Sequence, residues 1–124
     1  MKHEITETDD ISTIRLEGKL IGSDAATRVT NDLDRLLTEG KRKFILELAD
    51  LEWMDSTGLG VFITFLTRVK QAGGKLVLVN PKKVESLLVV TRLISIFDIY
   101  QTVEAAKEGL SKGQSGAPGA TAGM

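Results

Sequence analysis

The sequence predicts an α/β fold: a mixed, mostly parallel sheet packed with about four helices, and an antiparallel strand pair at the N-terminus. Three observations predict it. Stretches with strand spacing and stretches with helix spacing alternate along most of the chain. "KLVLV" (75–79) sets four apolar residues in a row, the mark of a strand buried on both faces. The 124 residues, 42% hydrophobic and 27% charged, suit one domain around one core.

Each element follows from its residues. "EITET" (4–8) is a strand that pairs through an Asp9-Asp10 turn with "ISTIRLEGKL" (11–20). In the latter, Ile14, Leu16, Gly18 and Leu20 face one way and Arg15, Glu17 and Lys19 the other. Ser23 is placed to cap a helix over 25–39, where Ala25, Ala26, Val29, Leu33, Leu36 and Leu37 keep helical spacing. Gly40 then ends it. "KFILEL" (43–48) is a short apolar strand, and "ADLEWMD" (49–55) reads as a turn. From Ser56 or Thr57 to about Gln71 the pattern is helical, with Leu59, Phe62, Ile63, Leu66 and Val69 in one stripe and Val61 and Phe65 widening it. Gly73-Gly74 closes that helix. After strand 75–79, Asn80-Pro81 breaks the chain. Residues 82–93 read as a third helix, with Val84, Leu87, Leu88 and Thr91 in line, and "IFDIY" (96–100) as a last strand. Thr102 caps a final helix over 103–110, with Glu104 in its first turn, where the helix dipole favours an acid. The predicted domain is therefore 1–110. Residues 111–124, "SKGQSGAPGATAGM", hold almost no large apolar side chain and are expected to be a disordered tail.

Composition removes several functions. There is no cysteine, hence no disulfide, thiolate chemistry or cysteine zinc site. The only histidine, His3, lies next to a terminus expected to be mobile, a poor place for a general base. The acids show no ligand spacing, so no metal and no cofactor is expected. A net charge of −1 argues against direct nucleic-acid binding. No apolar run reaches the roughly 18 residues of a membrane span, so no membrane insertion is expected. The polar start "MKHEITETDD" is not a secretory signal, and a cytoplasmic location is expected.

Chemistry concentrates in "WMDSTGLGVF" (53–62), at a strand-to-helix junction. Such junctions gather ligands and reactive side chains, and helix N-termini favour anions. Asp55 or Ser56 capping the helix, with Gly58 and Gly60 allowing close packing, explains the same residues without any chemistry. A hydrolase elbow needs glycine two before the serine, where Met54 stands. An aspartic-protease motif needs glycine after Ser56, where Thr57 stands, and a second carboxylate motif. "GLG" supplies two glycines of a nucleotide loop, with Ile63 in the third place and no following lysine. No catalytic residue is identified, and the chain is not expected to be an enzyme. What remains is a serine at a helix start, beside an acid and without a base: a poor nucleophile but a workable kinase substrate. A phosphate there adds nearly two negative charges and would switch binding with little effect on stability.

These residues resemble a family. "LEWMDSTGLGVFI", preceded by "KFILEL" and followed by "GGKLVLVNP", is similar to the STAS domain of anti-sigma factor antagonists. The resemblance runs from the N-terminal strands to about Leu110. It implies a STAS-like fold and phosphorylation at Ser56 by a partner that is both anti-sigma factor and ATP-dependent serine kinase. It implies that the unphosphorylated form binds that partner and frees the sigma factor, and that a metal-dependent serine phosphatase restores it. Asp55, Ser56, Thr57, Gly58 and Leu59 match the family's docking motif. One departure stands out. Where the family carries an acid in a Gly-Glu-Leu-Asp-like stretch, this chain has Gly18-Lys19-Leu20-Ile21, with Asp24 three residues on. A free monomer suits such a role. The alternatives are an accessory STAS subunit of an ABC-type phospholipid transport system, or a stressosome-type scaffold.

Overall fold

A computed structural model describes residues 2–111. Five strands and four helices, with two 3-10 turns, follow the predicted order. Strands β1 (Lys2–Thr8) and β2 (Ile11–Leu20) form the antiparallel pair around Asp9-Asp10. Next come helix α1 (Gly22–Thr38), strand β3 (Lys43–Met54), helix α2 (Ser56–Gln71) and strand β4 (Lys75–Val79). Helix α3 (Glu85–Val90), strand β5 (Asp98–Tyr100) and helix α4 (Val103–Ser111) complete the described residues. α4 runs one residue into the stretch expected to be a tail. The remainder of that stretch, 112–124, lies outside the described residues.

The strand order is β1-β2-β3-β4-β5, with every pair from β2 onward parallel. Parallel crossovers are nearly always right-handed. Because the order never reverses, that rule sends each crossover to the same face. There α1, α2, α3 and the turn before β5 bury Leu33, Phe65, Leu88 and Phe97 against Leu16, Phe44, Leu46 and Leu78. The other face is covered by α4, through Ala106 and Leu110 on Ile11, Ile45, Val77 and Tyr100.

Four expectations are corrected. β3 continues through the presumed 49–55 turn to Met54. Two register shifts against β2 break the simple alternation there, yet Leu51 and Met54 are fully buried. The third helix is split: Thr91 donates its hydroxyl to the Leu87 carbonyl, and Arg92 turns left-handed at φ 63°, so α3 stops at Val90. In α2 the buried stripe runs through Gly58, Val61, Phe62, Phe65, Leu66 and Val69. Ile63, about 100° round the helix from Phe62, is exposed. His3 sits in β1, and its ring hydrogen-bonds Asp32 on α1, so it is fixed to the fold.

Candidate functional site

The carboxyl ends of β2 and β3 lie side by side, with Leu20 opposite Met54. Each strand feeds a helix within two residues, so α1 and α2 begin next to each other. Asp55 links the two starts. Its backbone is extended (φ −95°, ψ −171°), and its carbonyl accepts the first helical bond, from the Leu59 N–H at 3.0 Å. Its Oδ1 accepts the Gly58 N–H at 3.0 Å, the bond of a true N-cap. Its Oδ2 accepts the Gly22 N–H at 3.0 Å, at the start of α1. The Gly58 and Gly22 N–H groups, in that order, hold the Asp55 carboxyl below the usual carboxylate range. Asp55 is therefore an anion at neutral pH.

Ser23 does not cap α1. The position before that helix is Ile21, which has no side-chain acceptor, and Asp55 reaches across from the neighbouring junction to bond the Gly22 N–H.

Ser56 is the first residue of α2 and is exposed. Its hydroxyl has no hydrogen-bond partner among the described residues, because the capping role falls to Asp55. Thr57 is exposed beside it. Gly58 is buried against the end of β2: a Cβ there would lie 2.7 Å from the Leu20 carbonyl oxygen and 2.9 Å from Met54 Cβ. Any larger residue forces the two junctions apart. Gly60 has open space around it, so the close packing expected of it is not needed. Leu59 is half-buried and packs on the main core, with part of its surface left at the edge.

The five motif residues thus form one continuous edge. Two large apolar side chains extend it. Ile21, between β2 and α1, and Trp53, near the end of β3, are each 47% exposed. Residue reading singled out Ile21 but passed over Trp53, whose signal was an aromatic next to the motif. Gly22 was missed too; its partner lies 33 positions away. A groove of about 310 Å³ runs between α1 and α2 from Thr57, walled by Ser23, Thr27, Thr30 and Thr64. No lysine or arginine lines it. Among the described residues, no group of three or more acids and histidines is placed to hold a metal, and no helix is long and apolar enough to cross a membrane.

The model of the STAS domain matches residues 2–106. A Thermotoga maritima protein assigned as an anti-sigma factor antagonist is 41% identical over 76 residues, 60% of this chain and 67% of the relative. A crystal structure from Thermotoga maritima with the same assignment has TM-score 0.81 and 32% identity, over 88% of this chain and 94% of that one. The Bacillus cell fate determinant SpoIIAA, solved in its phosphorylated form, has TM-score 0.72 at 20% identity, over 88% of this chain and 99% of that one. This last likeness is one of fold. The chain belongs to the STAS domain family, and the relatives it resembles there are named as anti-sigma factor antagonists.

Proposed function

We propose that this chain is an anti-sigma factor antagonist switched by phosphorylation at Ser56. In its unmodified form it binds an anti-sigma factor that is also a serine kinase, and the sigma factor is released. Transfer of phosphate to the Ser56 oxygen ends that binding, and a metal-dependent serine phosphatase restores it. Asp55, Ser56, Thr57, Gly58 and Leu59 form the docking segment. The chain works in the cytoplasm, as a monomer when free, and performs no catalysis itself.

One observation carries this reading. Ser56 opens α2 on an exposed edge with its hydroxyl uncommitted, while the adjacent acid does the capping. A kinase needs such an accessible oxygen. A catalytic serine needs a base, and the chain's one histidine is held by Asp32 on another part of the molecule. The sheet topology supports it as well. Open α/β sheets form ligand crevices where the strand order reverses. This order does not reverse, so the edge is an outward surface suited to a protein partner.

The switch has a simple electrostatic form. Phosphoserine carries close to two negative charges at neutral pH. The start of α2 tolerates them, because its N–H groups and dipole favour anions. A docked partner does not, since it would cover those charges beside the ionised Asp55. The modification therefore changes binding and leaves the fold in place.

The test is recovery of partners from host lysate with three baits: wild type, Ser56→Ala and Ser56→Glu. The Ala bait should retain a kinase-type anti-sigma factor that the Glu bait loses. Incubation of that partner with ATP should label wild type and not Ser56→Ala. Equal recovery of an ATP-binding cassette subunit by all three baits would overturn the switch, as would large assemblies that form regardless of residue 56.

A further inference from the structure

We infer that Asp55 is a positioning residue within the docking segment: its carboxylate clamps the starts of α1 and α2 together, holding the Ile21–Ser23 turn beside Ser56 as one recognition unit.

Both carboxylate oxygens are already committed. Oδ1 takes the Gly58 N–H and Oδ2 the Gly22 N–H, each at 3.0 Å. A carboxylate engaged by two backbone donors is held in place by charge-assisted bonds. The first bond is an ordinary cap within α2. The second is not local. α1 begins after Ile21, whose side chain has no acceptor, and its first N–H is satisfied from the other junction. Gly22 stands at φ +83°, a left-handed turn that glycine makes without strain, where the chain leaves β2 for α1. Two further contacts tie the same places. The Asp55 N–H donates to the Leu20 carbonyl at 3.2 Å, and Gly58 fits against that carbonyl with no room for a Cβ.

None of these bonds uses the Ser56 hydroxyl or the Ile21 side chain, and both are left exposed. The clamp therefore fixes the distance between them. A partner that reads Ser56 meets Ile21 in a set place. That Ser56 is the side chain presented rests on the reading above. The clamp itself is measured on the unmodified free chain, so either can fail without the other.

The discriminating variant is Asp55→Asn. Asparagine caps a helix about as well as aspartate. Its amide, however, has one acceptor oxygen and, in place of the other, an NH₂ that cannot receive a second N–H. The cap on Gly58 should survive and the bond to Gly22 should not. Amide hydrogen exchange on the full chain, read by NMR, tests this. In Asp55→Asn the Gly22 amide should exchange about tenfold faster or more, with Gly58 close to wild type. In Asp55→Ala both should speed up, and in Ser56→Ala neither. A residue that merely capped α2 would not move Gly22 at all. An unchanged Gly22 amide in both Asp55 variants would overturn the clamp. So would a rise at Gly22 and Gly58 matched by core amides such as Val69, which reports general loosening. If the variants do not fold, a wild-type titration decides. The Gly22 and Gly58 amide shifts should follow one midpoint, below the ordinary carboxylate range, and a Gly22 amide blind to that midpoint refutes the clamp.

Discussion

On the side of the sheet facing α1 and α2, twenty-four buried side chains among the described residues form one cluster; on the side facing α4, seven do. The thick face is packed by three crossovers and is apolar from Ile14 to Ile99. The thin face is apolar only under α4. Beyond it, β2 and β3 carry Arg15, Glu17 and Asp50, half-exposed and paired with one another. A rigid surface belongs with the thicker packing. The proposed phosphosite lies at the rim of the thick face, on helices anchored by the large core. The thin face closes the domain and can vary more freely.

The largest effects should come from deleting the same atoms on each face. Leu46→Ala, in the middle of the thick core, should cost about 4 kcal/mol, because packing on every side hinders collapse of the cavity. Leu110→Ala, on the thin face, should cost about 2 kcal/mol, since the end of α4 can settle into the gap. Urea unfolding measures both, and equal losses would show that the faces are equally packed. Gly58→Ala tests the rim. Its Cβ must displace the Leu20 carbonyl, and overpacking of that kind costs roughly 1–3 kcal/mol. Its amide shifts should change on both the α1 and α2 sides of the junction.

Acid acts on the rim as well. Asp55 has its carboxyl lowered in the folded state by the Gly58 and Gly22 N–H groups. The unfolded chain therefore takes up that proton first as pH falls. The stability it contributes is complete above the ordinary carboxylate range and is lost as pH drops through the lower folded value. Asp10 and Asp50 act in the same sense, through Lys43 and Arg15. Asp98 acts oppositely, because burial raises its carboxyl. Unfolding curves taken at falling pH should show a net loss, with a smaller slope in Asp55→Asn. Arg15→Ala should have the least effect. Its bonds to Asp50 and Glu17 lie on the thin, solvated face, and added salt should erase what little change in melting temperature remains.

Much of this was legible in the residues. The α1 positions from Ala25 to Leu36 are buried as their spacing implies, and β4 is buried on both faces. The Asp55–Leu59 segment stood out because an acid, two hydroxyls and a glycine between strand and helix patterns have few roles. What escaped was set by distant partners. The extension of β3 to Met54 depends on pairing with β2 through two register shifts, which period-two spacing cannot register. The cap of α1 comes from another junction, so Ser23 looked adequate when it was not. The burial of Gly58 follows from how close β2 ends to α2, a spacing no local pattern encodes.

The unreversed strand order also bears on how the chain reaches its shape. Each strand pairs with the one just before it in sequence, so every pairing closes a loop no longer than one helix and its flanking turns. A nascent chain can lay down the β1–β2 hairpin and then add one strand at a time to a single growing edge, with no earlier strand waiting for a later one to slot between. Until α4 arrives, Ile11, Ile45 and Val77 stay open to water. Among the described residues α4 is thus the last element to close over the sheet, and a chain cut short before Val103 should be the species most prone to self-association.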